Sequence, residues 1–147
     1  MRRPTVSDLT LLARMSGWAV VLPALKFVLP LPRLVRLVTP ARPAQRDRAR
    51  EQRVTRLAAR LYRTPRLGRD NCLERSLVTY RYLRRTGSEP TLVVGMRAED
   101  ELRGHVWVTV DGHPVHDTTE FLAGFVPLMS FPEPAPDAPP VAPTART

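Results

Sequence analysis

The sequence predicts an α+β fold on three observations: apolar residues recur at helical spacing through its first half, a further helix opens at a lone cysteine, and strand-like runs around an Asp-Gly pair follow. The order is helices, then a helix starting at the thiol, then an antiparallel sheet. At 147 residues the chain suffices for one domain with a modest core and appendages.

Taken in order, Ser7 is placed to cap a first helix running through Leu9, Leu12 and Met15. The stretch Met15 to Leu25 is uncharged but too short to span a bilayer, and Pro23, Pro30 and Pro32 should break it. No convincing signal-peptide cleavage site follows it. Arg33 and Arg36, with the leucines beside them, describe a helix packed on a core or lying on a membrane surface; packing is the commoner use of such a pattern. Val54, Leu57, Ala58, Leu61 and Tyr62 then form one apolar stripe of a helix whose other faces are rich in Arg. After a loop punctuated by Pro65 and Gly68, Asp70 or Asn71 should cap a helix from about Cys72 to Arg85. Leu73, Leu77 and Tyr80 mark its buried side, and Gly87 suits its C′ position. Thr91 to Arg97 reads as a buried strand, and His105–Val110 and His113–Asp117 flank the Asp111-Gly112 hairpin signal. From Pro132 onward, prolines and small residues describe a disordered tail. The expected division is a basic helical region over 1–63, a catalytic core over 64–131 and a tail over 132–147.

The charge is uneven. Met1–Asn71 hold sixteen Lys/Arg against four Asp/Glu, and Cys72–Thr147 hold seven against ten, which together give the net +9. The basic half suits an acidic partner, another protein or a membrane. Nucleic acid is not expected, since no aromatic residues interleave the arginines and no nucleic-acid motif is present. One cysteine allows no internal disulfide and no structural zinc site, so a reducing, cytoplasmic location is expected.

A cysteine at the first turn of a helix meets unpaired backbone N–H groups and the positive end of the dipole, both of which favour the thiolate. A free Cys can equally be a small buried hydrophobe. Arg69 and Arg75 lie near enough to push toward the thiolate as well. The nucleophilic reading requires a His base and an orienting carboxylate on rigid neighbours, and His105 and Asp117 stand at the two ends of the hairpin. His113 and His116 are rival bases by residue type, and the three His together could be imagined around a metal, an arrangement the strand parities disfavour. With a two-residue Asp111-Gly112 turn, His105 and Asp117 would point to opposite faces. A three-residue loop, pairing Val110 with Pro114 and placing Gly112 at positive φ, would bring them to one face with Trp107 directly opposite Asp117.

The segments CLERSL, YRYLRRTGSEPTLVVGMR, HVWVTVDGHPVHD and FVPLMSF, in that order and at those distances, resemble the leader-peptidase proteins of actinobacterial lasso-peptide biosynthesis, members of the transglutaminase-like, papain-like cysteine peptidase superfamily. The resemblance runs from about Asn71 to Phe131. It implies a papain-like core, with Cys72 as nucleophile, His105 as base and Asp117 as orienter, and no cofactor or metal. Val106 stands where the family mostly has Ala, and Arg66-Leu67-Gly68 where papain-like enzymes usually carry an oxyanion-hole Gln. The Cys72 backbone N–H, with Asn71 or a loop N–H, is left as oxyanion donor, and Arg75 and Trp107 as substrate or partner contacts. The resemblance further implies a precursor leader peptide as substrate, delivered by a separate small leader-recognition protein, and a separate ATP-dependent cyclase as the next enzyme. Acyl transfer or deamidation by the same triad, and a non-catalytic peptide-binding scaffold, are the competing readings.

Overall fold

The computed structural model describes residues 5–41, 44–63, 71–98 and 102–132. The expected loop around Pro65 and Gly68, the alternative cap Asp70, and the tail after Pro132 lie outside these residues.

Helix α1 spans Val6–Val28, and Thr5, not Ser7, caps it. The Thr5 hydroxyl accepts from the Asp8 N–H at 3.3 Å, and the Asp8 carboxylate accepts from the Thr5 N–H at 2.8 Å, a capping box. Pro23 sits inside the helix instead of ending it. The cost of its missing N–H is offset because Met15, Ala19 and Leu22 are fully buried against the rest of the protein. The apolar run is therefore longer than expected: α1 has 23 residues and, by length and composition alone, could cross a membrane. Pro30 begins α2, Leu31–Val38, with Pro32 in its first turn, where a missing N–H costs nothing. In α3, Arg48–Tyr62, Asp47 accepts from the Arg50 N–H at 3.1 Å, and Val54, Ala58, Leu61 and Tyr62 are buried as their spacing predicts.

Helix α4, Cys72–Arg84, is enclosed on nearly every side, by α1–α3 on one flank and a sheet on the other. Burial therefore extends well beyond the expected stripe, to Ser76, Thr79 and even Glu74. Each of these polar groups meets a different element. Glu74 receives the Lys26 ammonium of α1 at 2.6 Å, and the Ser76 hydroxyl donates to the Val106 carbonyl at 2.9 Å. Thr79 shares a 3.0 Å hydrogen bond with His116. Asn71 is the N-cap residue, and Gly87 takes φ +79° two residues past the C-cap Arg85.

The sheet consists of β1 (Thr91–Ala98), β2 (Leu102–Val110), β3 (His113–Pro114) and β4 (Val126–Phe131), in the order β3-β2-β1-β4, with a single-turn helix α5 (Thr119–Leu122) before β4. Val94, Val106 and Val108 face the helices, whereas Val93 and Trp107 point to the other side and close a small second core with Leu122 and Phe125. Both faces of β1 and β2 are thus covered, which explains the uninterrupted apolar run in β1. Pro127 falls on β4, an edge strand, beside a register shift at Val94/Gly95.

The hairpin corrects the expected three-residue loop. Val110 pairs with His113, so the turn is the tight Asp111-Gly112 pair, with φ of 52° and 77°. Two successive positive φ values are what a type I′ turn demands. Arg46 holds the Asp111 carboxylate at 2.7 Å. Pro114 then falls at a position that donates nothing to the ladder, Val115 donates to Val108 at 2.9 Å, and the chain bends away from the sheet. The expected strand to Asp117 is cut to two residues, and side-chain parity no longer governs residues 116 and 117.

Gly95 is a point of close approach. A Cβ there would stand 2.7 Å from the Trp107 ring and 2.9 Å from the Val126 carbonyl oxygen. Gly95→Ala should therefore cost about 2–3 kcal/mol through overpacking, read as a lowered midpoint in urea; an unchanged midpoint would show that the Trp107 ring yields freely.

Candidate active site

Helices α3, α4 and α5 and strands β1 and β2 converge on an open cleft of about 690 Å³, lined by Cys72, His105, Asp117, Tyr62 and the Arg97 and Phe125 side chains among others. Cys72 is the first residue of α4. His105 lies on β2, directly across from Gly95 of β1, and lines the same cleft as Cys72, near enough for each to shift the other's titration. The His105 Nε2 stands 3.3 Å from Asp117 Oδ1, within ion-pair range. Asp117 reaches His105 because the chain has left the sheet after Val115. It is fixed from behind by Arg75, whose Nη2 donates to both carboxylate oxygens at 3.0 and 3.1 Å. Arg75 is one turn along α4 from Cys72, so a single helix carries the thiol and the clamp on the carboxylate.

The electrostatics follow from these contacts. Burial pushes the Cys72 thiol up, but the His105 hydrogen bond and charge and the backbone N–H groups of Val106 and Leu73 outweigh it and leave the thiol acidified. Burial likewise opposes a charged imidazole, yet Asp117 and Cys72 raise His105 to about 9. Asp117 is held below the usual carboxylate range by His105 and Arg75 despite its burial. Both shifts favour the thiolate–imidazolium pair, the reactive form of a nucleophilic cysteine. Alkylation of Cys72 by iodoacetamide should set in well below pH 8.5, and His105→Ala should move the onset upward. A wild-type rate that rises only above about pH 8.5 would contradict the ion pair.

Aromatic rings wall the imidazole. Phe121 meets it edge-on at 5.2 Å, Phe125 lies at 5.3 Å, and Trp107 stacks at 6.1 Å. Arg97 lies over Phe125 at 4.8 Å and sits directly opposite Arg103 on the neighbouring strand, both at the cleft.

Several expectations change here. Arg75 lines the cleft but directs its guanidinium at Asp117. Trp107, 3% exposed, is floor beneath His105 rather than a substrate contact, and it faces Val93 instead of Asp117. Asn71 lines the cleft and its side chain makes no capping bond to α4. His116 is half-buried on Thr79, lowered to about 4 by burial and by Arg75, and His113 lies exposed beside the turn. His105 is the imidazole that meets the thiol. Among the described residues no three metal-ligating side chains gather. Phe121, Phe125, Arg97 and Arg103 were not singled out from the sequence; the Phe121–Phe125 spacing of four was the available signal.

A family model described as the transglutaminase-like superfamily matches residues 12–130. No curated protein and no solved structure matches the chain. A match that takes in most of α1 and continues into β4 shows that the chain belongs to the transglutaminase-like superfamily.

Proposed function

We propose that the protein is a cysteine peptidase that removes the leader from a ribosomally made precursor during lasso-peptide maturation. The observation that carries the reading is the contact of Cys72 with His105, backed by Asp117 and Arg75, in an open cleft. In this mechanism the Cys72 thiolate attacks the scissile carbonyl at the leader–core junction, and the developing oxyanion is met by the Cys72 backbone N–H. His105 gives its proton to the departing amine of the core, leaving a thioester on Cys72. His105, now neutral, activates a water that releases the leader acid. Asp117, tied to Arg75, keeps the imidazole oriented and favours its charged form.

The leader substrate is supported by the combined Cys-Leu-x-Arg-Ser, Arg-x-Gly, His-x-Trp-Val and Pro-Leu-Met segments, which resemble the lasso leader peptidases. A small recognition protein that delivers the leader and an ATP-dependent cyclase that takes the freed core are the partners of this reading, and the reducing cytoplasm is its setting. The purified full chain, incubated with a synthetic precursor and the recognition protein, should yield separate leader and core masses. An intact precursor in the presence of a reactive Cys72, or a mass gain of a supplied amine in place of cleavage, would overturn it.

A further inference from the structure

The solvent side of α1 carries six of the twelve large apolar side chains exposed among the described residues. Val6, Leu9, Val20, Val21, Phe27 and Val28 are 47–84% exposed. At about 100° per residue they fall on one half of the helix, opposite Met15, Ala19 and Leu22, which are buried. Over a helix of about 35 Å, Arg14 is the one charge on the exposed half. The hydroxyls there turn inward: Thr10 donates to the Val6 carbonyl at 3.1 Å and Ser16 to the Leu12 carbonyl at 2.9 Å. A continuous apolar face of this size marks an interaction surface.

We propose that α1 lies in the plane of an anionic bilayer with this face in the acyl–headgroup boundary, and that Arg33 and Arg36 of α2 supply attraction to the lipid phosphates. Three observations favour a lipid surface. Apart from Arg14 the face carries no charge that would fix the orientation of a protein partner, which a bilayer does not require. Residues 5–41 hold one carboxylate, Asp8, and it is bonded to Thr5 and Arg53, so nothing there repels anionic lipid. Arg33 and Arg36 are exposed and make no ion pair among the described residues. Crossing the bilayer is ruled out by the other half of α1, which is packed into the core and sends Lys26 to the buried Glu74. The placement holds whether or not Cys72 is catalytic.

Flotation of the full chain with vesicles tests it. The protein should rise with phosphatidylglycerol-rich vesicles and far less with pure phosphatidylcholine. Val20→Glu/Phe27→Glu should weaken binding by more than about a hundredfold, because two large side chains lose their apolar burial. Arg33→Gln/Arg36→Gln should weaken it about thirtyfold, and added salt should do the same for the wild type. Circular dichroism and Cys72 alkylation should be unchanged in all variants. Failure to float, equal binding to both vesicle types, or full binding by Val20→Glu/Phe27→Glu would overturn the proposal. So would a sedimentation shift showing that the same two residues hold two copies together or hold another protein.

Discussion

Replacing Cys72 with Ala, or His105 with Ala, should leave a folded protein that cleaves the precursor at least ~10⁴-fold more slowly. The two act as one unit. Without the thiol no acyl-enzyme forms, and without the imidazole the thiol loses both the charge that acidifies it and the proton donor for the leaving amine. The double variant should therefore be no slower than either single one. Asp117→Asn should cost less in neutral solution but change the pH profile. In the wild type the alkaline limb should fall near pH 9, where His105 loses its proton. Removing the Asp117 charge lowers that value, so the limb should move toward neutrality. Arg75→Met should move it the other way: Arg75 helps keep Asp117 ionised, but its own positive charge opposes a charged imidazole, and its loss leaves Asp117 free to pair more fully with His105. Steady-state cleavage rates across pH settle both points. Full activity in Cys72→Ala would end the cysteine mechanism, and an unmoved alkaline limb in Asp117→Asn would remove Asp117 from its positioning role.

What the sequence made legible, and what it hid, divides along a physical line. A helix opening at Cys72 was legible because Asn71, the apolar spacing and Gly87 are local signals. So was the hairpin, since Asp-Gly is a local turn signal. Strand parity does not give the path to Asp117, because it holds only if β3 runs on to residue 117, and β3 ends at Pro114. Turn chemistry won: Asp111 and Gly112 both accept positive φ, the tight turn forms, and the ladder ends early enough for Asp117 to swing back. The side-chain meeting survived although the register was wrong. The role of Arg75 was hidden for a different reason. Its partner lies 42 residues away, and no local pattern distinguishes a clamp from a substrate contact. Pro23 misled in the same manner, since its intrinsic cost is local and the burial that offsets it is tertiary. The two-sided burial of β2 likewise turned Trp107 from a cleft residue into floor.

Removing residues 1–63 should abolish folding, not merely docking. Of the eighteen buried side chains in the larger core cluster, ten come from α1, α2 and α3: Met15, Ala19 and Leu22, then Leu34, Val35 and Val38, then Val54, Ala58, Leu61 and Tyr62. Without them α4 keeps the sheet on one flank and loses its cover on the other, where Glu74 meets Lys26 of α1 and Arg81 meets Trp18 of α1 and the Val38 carbonyl of α2. Eight of the ten are larger than Ala, and at about 1.5–3 kcal/mol for each such burial their loss, roughly 12–24 kcal/mol, matches or exceeds the total stability of an ordinary domain. The shortened chain should show no cooperative thermal transition and no cleavage. A point variant isolates the link to the site. Glu74 is 2% exposed in the first turn of α4, and its ion pair is with Lys26 of α1 at 2.6 Å. Lys26→Met leaves that carboxylate buried without its cation, at a cost of about 2–4 kcal/mol, reduced somewhat because the ammonium is partly solvated. Lys26→Met/Glu74→Met should recover most of the loss, since two apolar side chains leave no charge unpaired. Urea midpoints of the four proteins in this cycle give the coupling directly. A chain starting at residue 64 that melted cooperatively and cut the precursor at the full rate would show the first three helices to be an appendage after all.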